Sequence, residues 1–140
     1  MKVLIDTNVI LDIILKREPY FKDAERLTVL VEKGHMIGYI TAAAVTDIFY
    51  IASKKLQSKK DALEVMRKLF QTIRIAPVNE DNIHEALNLS WGDFEDAVEY
   101  SCGKSMFADY IITRDLEGFK MSSIKTLSPK DLLAKTITYE

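Results

Sequence analysis

Cysteine and histidine are scarce in this sequence, which argues against two classes of site. Cys102 is the one cysteine among 140 residues, so no intrachain disulfide can form. A chain without disulfides is typical of a reducing compartment, and we expect a cytoplasmic protein. The two histidines, His35 and His84, are far apart and have no pair of cysteines to complete a zinc site.

Proline, glycine and long apolar runs are also few. The sequence has 3 prolines and 5 glycines, all scattered, so no Pro/Gly-rich linker divides it. We therefore predict a single domain over residues 1–140. No apolar run approaches the roughly 18 residues of a membrane-spanning helix, and we expect no membrane association. With 48% hydrophobic and 29% charged residues, the composition is typical of a globular chain with a core.

Neither sign of charge dominates, since the formal net charge is −2. This balance argues against a protein that coats nucleic acid by charge alone. The local distribution is uneven, however, because Lys54, Lys55, Lys59 and Lys60 form a basic ridge. That ridge is either a solvated helix face or a contact surface for RNA phosphates.

Short apolar segments alternate with longer helical patterns along the whole chain. The predicted strands are Lys2–Ile5, Met36–Ile40, Ile73–Pro77, Tyr110–Thr113 and Ile124–Leu127. The predicted helices are about Val9–Lys16, Lys22–Lys33, Thr41–Lys55, Lys59–Gln71, Asn79–Leu89, Asp93–Cys102 and one that starts at Ser128–Pro129. This alternation predicts an α/β fold with a mostly parallel sheet that helices cover on both faces.

Two aspartates follow predicted strands, where such sheets bind ligands. Asp6 comes directly after the first strand, and Asp115 comes two residues after the fourth. Asp6 could instead cap the following helix, because aspartate is a favoured N-cap residue. Thr7 or Asn8 could also provide that cap, which would leave Asp6 free for a site.

A second acidic group lies on the predicted helix that begins near position 93. Asp93 and Asp96 are three residues apart, which places them on one face of a helix. Asp93 alone could be an N-cap, whereas Asp96 on the same face suggests a functional pair. Glu95 and Glu99 point away from this face, and we expect them to face solvent.

Asp47 lies on the helix that Thr41 caps. The apolar stripe of that helix consists of Val45, Ile48, Phe49, Ala52 and Leu56. Since Asp47 points away from the stripe, periodicity alone predicts a solvated residue. The small residues Ala42–Ala44 let the start of this helix pack closely against another element, which keeps a role in a site open.

A cluster of Asp6, Asp47, Asp96 and Asp115 would be costly without a counter-ion. Two like charges about 5 Å apart repel by roughly 3 kcal/mol at an effective dielectric constant near 20. A hard divalent cation removes this cost, and oxygen-only ligands suit Mg²⁺ or Mn²⁺. Such ions activate water and stabilise charge on phosphoryl groups, so the cluster indicates phosphodiester hydrolysis.

Four segments together resemble the motifs of PIN-domain nucleases, and among them the small VapC-type toxins of prokaryotic toxin–antitoxin pairs. They are Val3–Asp12, Thr41–Asp47, Asp93–Ala97 and Ile112–Asp115. The second motif usually carries glutamate in this family, and Asp47 stands there instead, one methylene shorter.

The resemblance covers residues 3–119 and implies both the fold and the site. The implied fold is a three-layer α/β/α sandwich with a five-stranded parallel sheet, and the implied activity is Mg²⁺- or Mn²⁺-dependent cleavage of RNA. The implied catalytic residues are Asp6, Asp47, Asp96 and Asp115, of which Asp6, Asp96 and Asp115 bind the metal. Residues expected to bind substrate are Asn8, Asp93, Thr113, Lys54 and Lys55. A homodimer and inhibition by a small antitoxin are further implications.

Other functions stay open at this point. A PIN module that only binds RNA or a protein partner is one, because Asp47 replaces the usual glutamate. An aspartyl-phosphate phosphatase is another, although it needs a second aspartate two residues after the first, where Asn8 stands. A phosphoacceptor receiver domain needs an early acidic pair and a lysine after the last strand, and the chain has a lone Asp6 and Thr126–Ser128 there. Within the PIN family, RNA processing is an alternative to a toxin role.

Overall fold

Five short strands form one sheet at the centre of the molecule, whose computed structural model describes residues 1–137. The strands are β1 (Lys2–Ile5), β2 (Ile37–Thr41), β3 (Arg74–Ala76), β4 (Tyr110–Ile112) and β5 (Lys125–Leu127). The helices are α1 (Thr7–Ile14), α2 (Phe21–Glu32), α3 (Ala42–Leu56), α4 (Lys59–Leu69), α5 (Glu80–Leu89), α6 (Phe94–Ser105) and α7 (Pro129–Ile137), with a 3₁₀ turn at Glu117–Phe119.

All strand pairs in the sheet are parallel, and the strand order is β3-β2-β1-β4-β5. The strand β1 is central, with Val3 opposite Gly38 on β2 and opposite Tyr110 on β4. Val3 and Leu4 are fully buried, as expected for a strand covered on both faces. The sequence predicted a mostly parallel sheet, and every pairing here is parallel.

Helices cover both faces of the sheet, so the predicted three-layer sandwich is confirmed. Val3 and Ile5 belong to a core shared with α1, α2, α3 and α4. Leu4, which points the opposite way, packs in a second core with Tyr100 of α6 and with Phe119. Successive residues of a strand face opposite sides, which explains why one short strand contributes to both cores.

Most helix starts coincide with the predicted caps. Thr41, Ser58, Asn79 and Asp93 each accept a hydrogen bond from a backbone N–H in the first turn of their helix. The first helix is the exception, because it starts at Thr7 rather than Val9 and its N-cap is Asp6 rather than Thr7 or Asn8.

The longest helix among residues 1–137 has 15 residues. None in that range combines the length and apolar character that crossing a bilayer requires.

Candidate active site

Asp6 lies where β1 ends and α1 begins, and both of its carboxylate oxygens are held in place. Oδ1 accepts a hydrogen bond from the Thr7 N–H at 2.8 Å, and Oδ2 accepts one from the Thr113 hydroxyl at 2.7 Å. The Asp6 N–H donates to the Ile112 carbonyl on the neighbouring strand β4 at 2.8 Å. Asp6 therefore caps α1 and also belongs to the site, two roles that the sequence presented as alternatives.

The helix α6 brings Asp96 and Glu99 to Asp6. One carboxylate oxygen from each of Asp6, Asp96 and Glu99 lies within 4.8 Å of the others, and all three residues are buried. The Asp93 side chain caps the helix by accepting from the Asp96 N–H at 3.1 Å. The expectation that Glu99 faces solvent is wrong: its exposure is 6%, because α6 is buried without interruption from position 96 to 103.

Asp115 lies on the loop after β4, at the exposed side of this carboxylate cluster. Its N–H donates to the Thr113 hydroxyl oxygen at 3.0 Å, and its Oδ1 accepts from the Gly118 N–H at 3.0 Å. A Cβ atom on Gly118 would lie 2.5 Å from Oδ2 of Asp96 and 2.7 Å from Oδ2 of Asp115. The two carboxylates therefore lie against the same glycine, and a side chain at this position would require them to move.

Burial and mutual repulsion disfavour the charged forms of these acids. The pKa of Asp96 is raised to about 7, mainly by burial. The other causes are the negative charges of four acids: Asp6, Asp93, Asp115 and Glu95. Burial, followed by the charge of Asp6, raises the pKa of Glu99 well above its ordinary value.

The donor set fits a hard divalent cation. Asp6, Asp96 and Glu99, with Asp115 beside them, offer carboxylate oxygens only, which Mg²⁺ and Mn²⁺ prefer. Between side chains of residues 1–134, the ion pairs of lysines, arginines and histidines are made with other acids: Asp12, Glu80, Glu85 and Glu117. No side-chain cation of that range thus offsets the negative charge of the cluster by an ion pair.

Asp47 lies at the margin of the cluster, exposed on α3. It faces away from the buried residues Ala44, Ile48 and Ala52, as periodicity predicted. It is nevertheless near the acids of α6, because its negative charge contributes to the raised pKa of Glu95, after burial as the larger cause. Asp47 can therefore be both a surface residue, as periodicity predicts, and a residue of the site, as the motif predicts.

The residues predicted to bind substrate occupy different positions. Thr113 is fully buried, and its hydroxyl links Asp6 to the backbone of Asp115. Asn8 Oδ1 accepts from the Arg114 N–H at 3.5 Å, whereas Asp93 is exposed at the start of α6. Lys54 and Lys55 are exposed in the last turn of α3.

Sequence reasoning missed a buried ion group beside the site. Asp12 of α1 is fully buried and binds two arginines: Arg17 Nε lies 3.0 Å from its Oδ1, and Arg114 Nε lies 2.7 Å from its Oδ2. The Arg114 guanidinium also lies over the Tyr20 ring, 3.9 Å from the ring centroid. The sequence signal that could have indicated this ion group was Asp12, an acid on the otherwise apolar face of α1.

Comparison with family models places most of this chain in a known family. Residues 2–117 match the family model described as PIN domain. No curated protein sequence matches significantly.

Several solved structures share this fold. The VapBC2 complex of Rickettsia felis, bound to a promoter DNA fragment, aligns with a TM-score of 0.70 at 16% identity and covers 91% of this chain and 98% of its own. FitAcB of Neisseria gonorrhoeae aligns with 0.68 at 17% identity, with coverages of 91% and 98%. VapC20 of Mycobacterium tuberculosis, a toxin that cleaves the sarcin-ricin loop, aligns with 0.63 at 12% identity, with coverages of 78% and 86%. At such identities the likeness concerns the fold.

Proposed function

This chain belongs to the PIN-domain family, and from that premise we propose that it is a metal-dependent endoribonuclease. The observation that carries the proposal is the buried set of Asp6, Asp96 and Glu99, with Asp115 against the same Gly118 as Asp96. Burying three ionised carboxylates together is unfavourable unless a cation neutralises them, and keeping them uncharged requires protonation, as the raised pKa values of Asp96 and Glu99 show. A fold that keeps them together therefore favours a metal site over a structural cluster.

The proposed metal ligands are Asp6, Asp96 and Asp115, with Glu99 added by its position in the structure. A bound Mg²⁺ or Mn²⁺ would supply an activated water and stabilise negative charge on a phosphodiester. Thr113 is a positioning residue, because its buried hydroxyl orients Asp6 and holds the Asp115 backbone.

Asp47 is the proposed proton acceptor of the reaction. Its carboxylate is exposed to solvent and close to Glu95 at the rim of the cluster. In hydrolysis, the oxygen of water attacks phosphorus, the bond from phosphorus to the leaving oxygen breaks, and a water proton must be accepted. A carboxylate at the rim can accept that proton and release it to solvent.

Three observations favour RNA as the proposed substrate. The family contains nucleases, the cluster is exposed on the Asp115 side, and Lys54 and Lys55 are exposed on the same helix as Asp47. Lysines on one face attract phosphates without sequence preference. Asn8 and Asp93, at the starts of α1 and α6, are proposed to contact the bound strand.

The structural neighbours favour one biological role for such a ribonuclease, that of the toxin in a toxin–antitoxin pair. Two of them are the VapBC2 and FitAcB complexes, and one is the VapC20 toxin. We propose a small antitoxin protein as the partner, a homodimer as the assembly and the cytoplasm as the location. Copurification with the product of an adjacent short gene tests the antitoxin directly.

Cleavage by the purified protein tests the activity. We predict that it cuts a mixed tRNA pool with Mn²⁺ or Mg²⁺ but not with EDTA, and that Asp96→Asn abolishes cutting because it removes a central carboxylate. Asp81→Asn is the matched control, since Asp81 is an exposed aspartate in the first turn of the neighbouring helix α5. Circular dichroism verifies that both variants fold.

Two results would contradict this function. An Asp96→Asn protein that retains more than about a tenth of the wild-type rate would remove Asp96 from the chemistry, since losing a catalytic group typically costs about 10²-fold or more. A folded wild-type protein that binds RNA but never cuts it would favour the non-catalytic PIN module.

A further inference from the structure

A pocket of about 450 Å³ opens between the start of α2 and the start of α7, next to the loop that follows β4. Its lining includes Tyr20, Asp23, Arg114, Ser128 and Lys130. We infer that this pocket is a subsite for one nucleotide of the RNA chain, next to the nucleotide at the cluster. The inference rests on the proposed function, because it concerns how the same substrate is held.

The position of the pocket supports a continuous path for a strand. Arg114 lines the pocket, and the next residue in the chain is Asp115, which lies against Gly118 together with Asp96. Arg114 is also bound through Asp12 to α1, the helix that Asp6 caps, so the pocket and the carboxylate cluster are built on the same two elements, α1 and the loop after β4.

The charge of the pocket suits a phosphate. Asp12 neutralises only one of the two arginines that it binds, so the ion group beneath the pocket keeps a net positive charge. Asp12 holds Nε and Nη2 of Arg114, and Nη1 has no hydrogen-bond partner among residues 1–136. Lys130 adds a second, exposed cation at the rim. Arg114 and Lys130 outnumber Asp23, the acid of the lining, so the pocket favours an anionic ligand over an uncharged one.

The remaining lining suits a nucleobase. The Arg114 guanidinium stacks on the Tyr20 ring and holds it in place. The Tyr20 side chain nevertheless remains 43% exposed. Aromatic rings of this kind hold bases by stacking, without a strong sequence preference. The Asp23 carboxylate can accept hydrogen bonds from the amino groups of a base, and the volume lies in the range of pockets that enclose small ligands.

Equilibrium binding of a short single-stranded RNA, measured in EDTA to prevent cleavage, tests this subsite. Lys130→Gln should weaken binding about fivefold at roughly 0.1 M salt and lower the slope of log affinity against log salt by about 0.7, because one phosphate contact is lost. Tyr20→Ala should weaken binding by about fivefold or more and leave the slope unchanged, because it removes stacking but no charge.

Lys33→Gln is the matched control. Lys33 is an exposed lysine that precedes β2, so it lies toward the amino-terminal ends of the strands, opposite the carboxyl ends where Asp6 lies. It should change neither affinity nor slope. Wild-type affinity in either Lys130→Gln or Tyr20→Ala would overturn the subsite, and if the wild type still cuts RNA with Mn²⁺, the proposed function stands. A wild-type protein that neither binds nor cuts RNA would refute both.

Discussion

Among the residues of the site, Asp96 has a charge that burial and the neighbouring acids oppose. Its pKa of about 7 means that, without a metal, it is partly protonated near neutral pH. A metal needs the ionised carboxylate, so protons and metal compete for Asp96. Metal affinity should therefore increase as the pH rises through 7.

The melting temperature in EDTA tests the raised pKa of Asp96 in the absence of metal. Because the folded-state pKa lies above the ordinary value of 3.8, the folded protein binds a proton more tightly than the unfolded chain between those values. Its stability therefore falls as the pH rises through that window. At about pH 8, Asp96→Asn should melt several degrees above the wild type, and the difference should shrink toward about pH 5.

Asp81→Asn serves as the control for these melts, since Asp81 is exposed in the first turn of α5. An equal difference between Asp96→Asn and the wild type at both pH values would show that the titration of Asp96 has no part in the effect.

Substitutions of Asp47 test whether a carboxylate at the rim of the cluster takes part in RNA cleavage. Asp47→Ala should lower the cleavage rate by about 10²-fold or more, the cost of losing a positioned proton acceptor. Asp47→Glu should keep or raise the rate, because it restores the side chain that is usual in this family. Glu64→Ala, at an exposed acid on the neighbouring helix α4, is the control. Equal rates for Asp47→Ala and the wild type would leave Asp47 as a solvated surface residue.

Among the elements, α6 shows where periodicity fails. An amphipathic helix has one face in solvent, so the pattern placed Glu99 outside while Asp96 faced the site. The helix instead packs against α5 on one side and the sheet on the other, and residues 96–103 are all buried. A buried glutamate beside two other acids leaves no signal in hydrophobic periodicity, because it occupies a position that would otherwise be apolar.

The starts of helices could be predicted better, because capping is local. Ser58, Asn79 and Asp93 are recognisable as N-caps from the residues that follow them. The double role of Asp6 was harder to predict, because the hydrogen bond to its second carboxylate oxygen comes from Thr113, far along the chain.

The loop after β4 offers a paired test of the site geometry. Gly118→Ala should nearly abolish cleavage and Mn²⁺ binding, because its Cβ would collide with the carboxylates of Asp96 and Asp115. Gly92→Ala, in the turn before α6, has nothing within 4 Å of the new Cβ and should behave as wild type. Calorimetric Mn²⁺ titration and RNA cleavage measure both effects. A Gly118→Ala protein with wild-type metal affinity would contradict the idea that the observed positions of these carboxylates are needed for metal binding.

At the scale of the whole molecule, the parallel sheet is what assembles the cluster. The neighbouring strands β1 and β4 end at the same edge, which brings Asp6 close to Thr113 and the loop of Asp115. The strand pattern predicts that Asp6 and Asp115 lie at this edge, and the motif order adds Asp96 on α6. That these three residues bind a metal stays a prediction. The contact of Arg114 with Asp12 could not be predicted, because it depends on how side chains pack between distant segments.

The position of a bound ion tests the metal site most directly. In a crystal soaked with Mn²⁺, we predict an anomalous density peak in contact with carboxylate oxygens of Asp6 and Asp96, and no such peak in crystals of Asp96→Asn. A soaked wild-type crystal with ordered Asp6, Asp96 and Glu99 side chains and no anomalous peak among them would contradict a metal-dependent nuclease site.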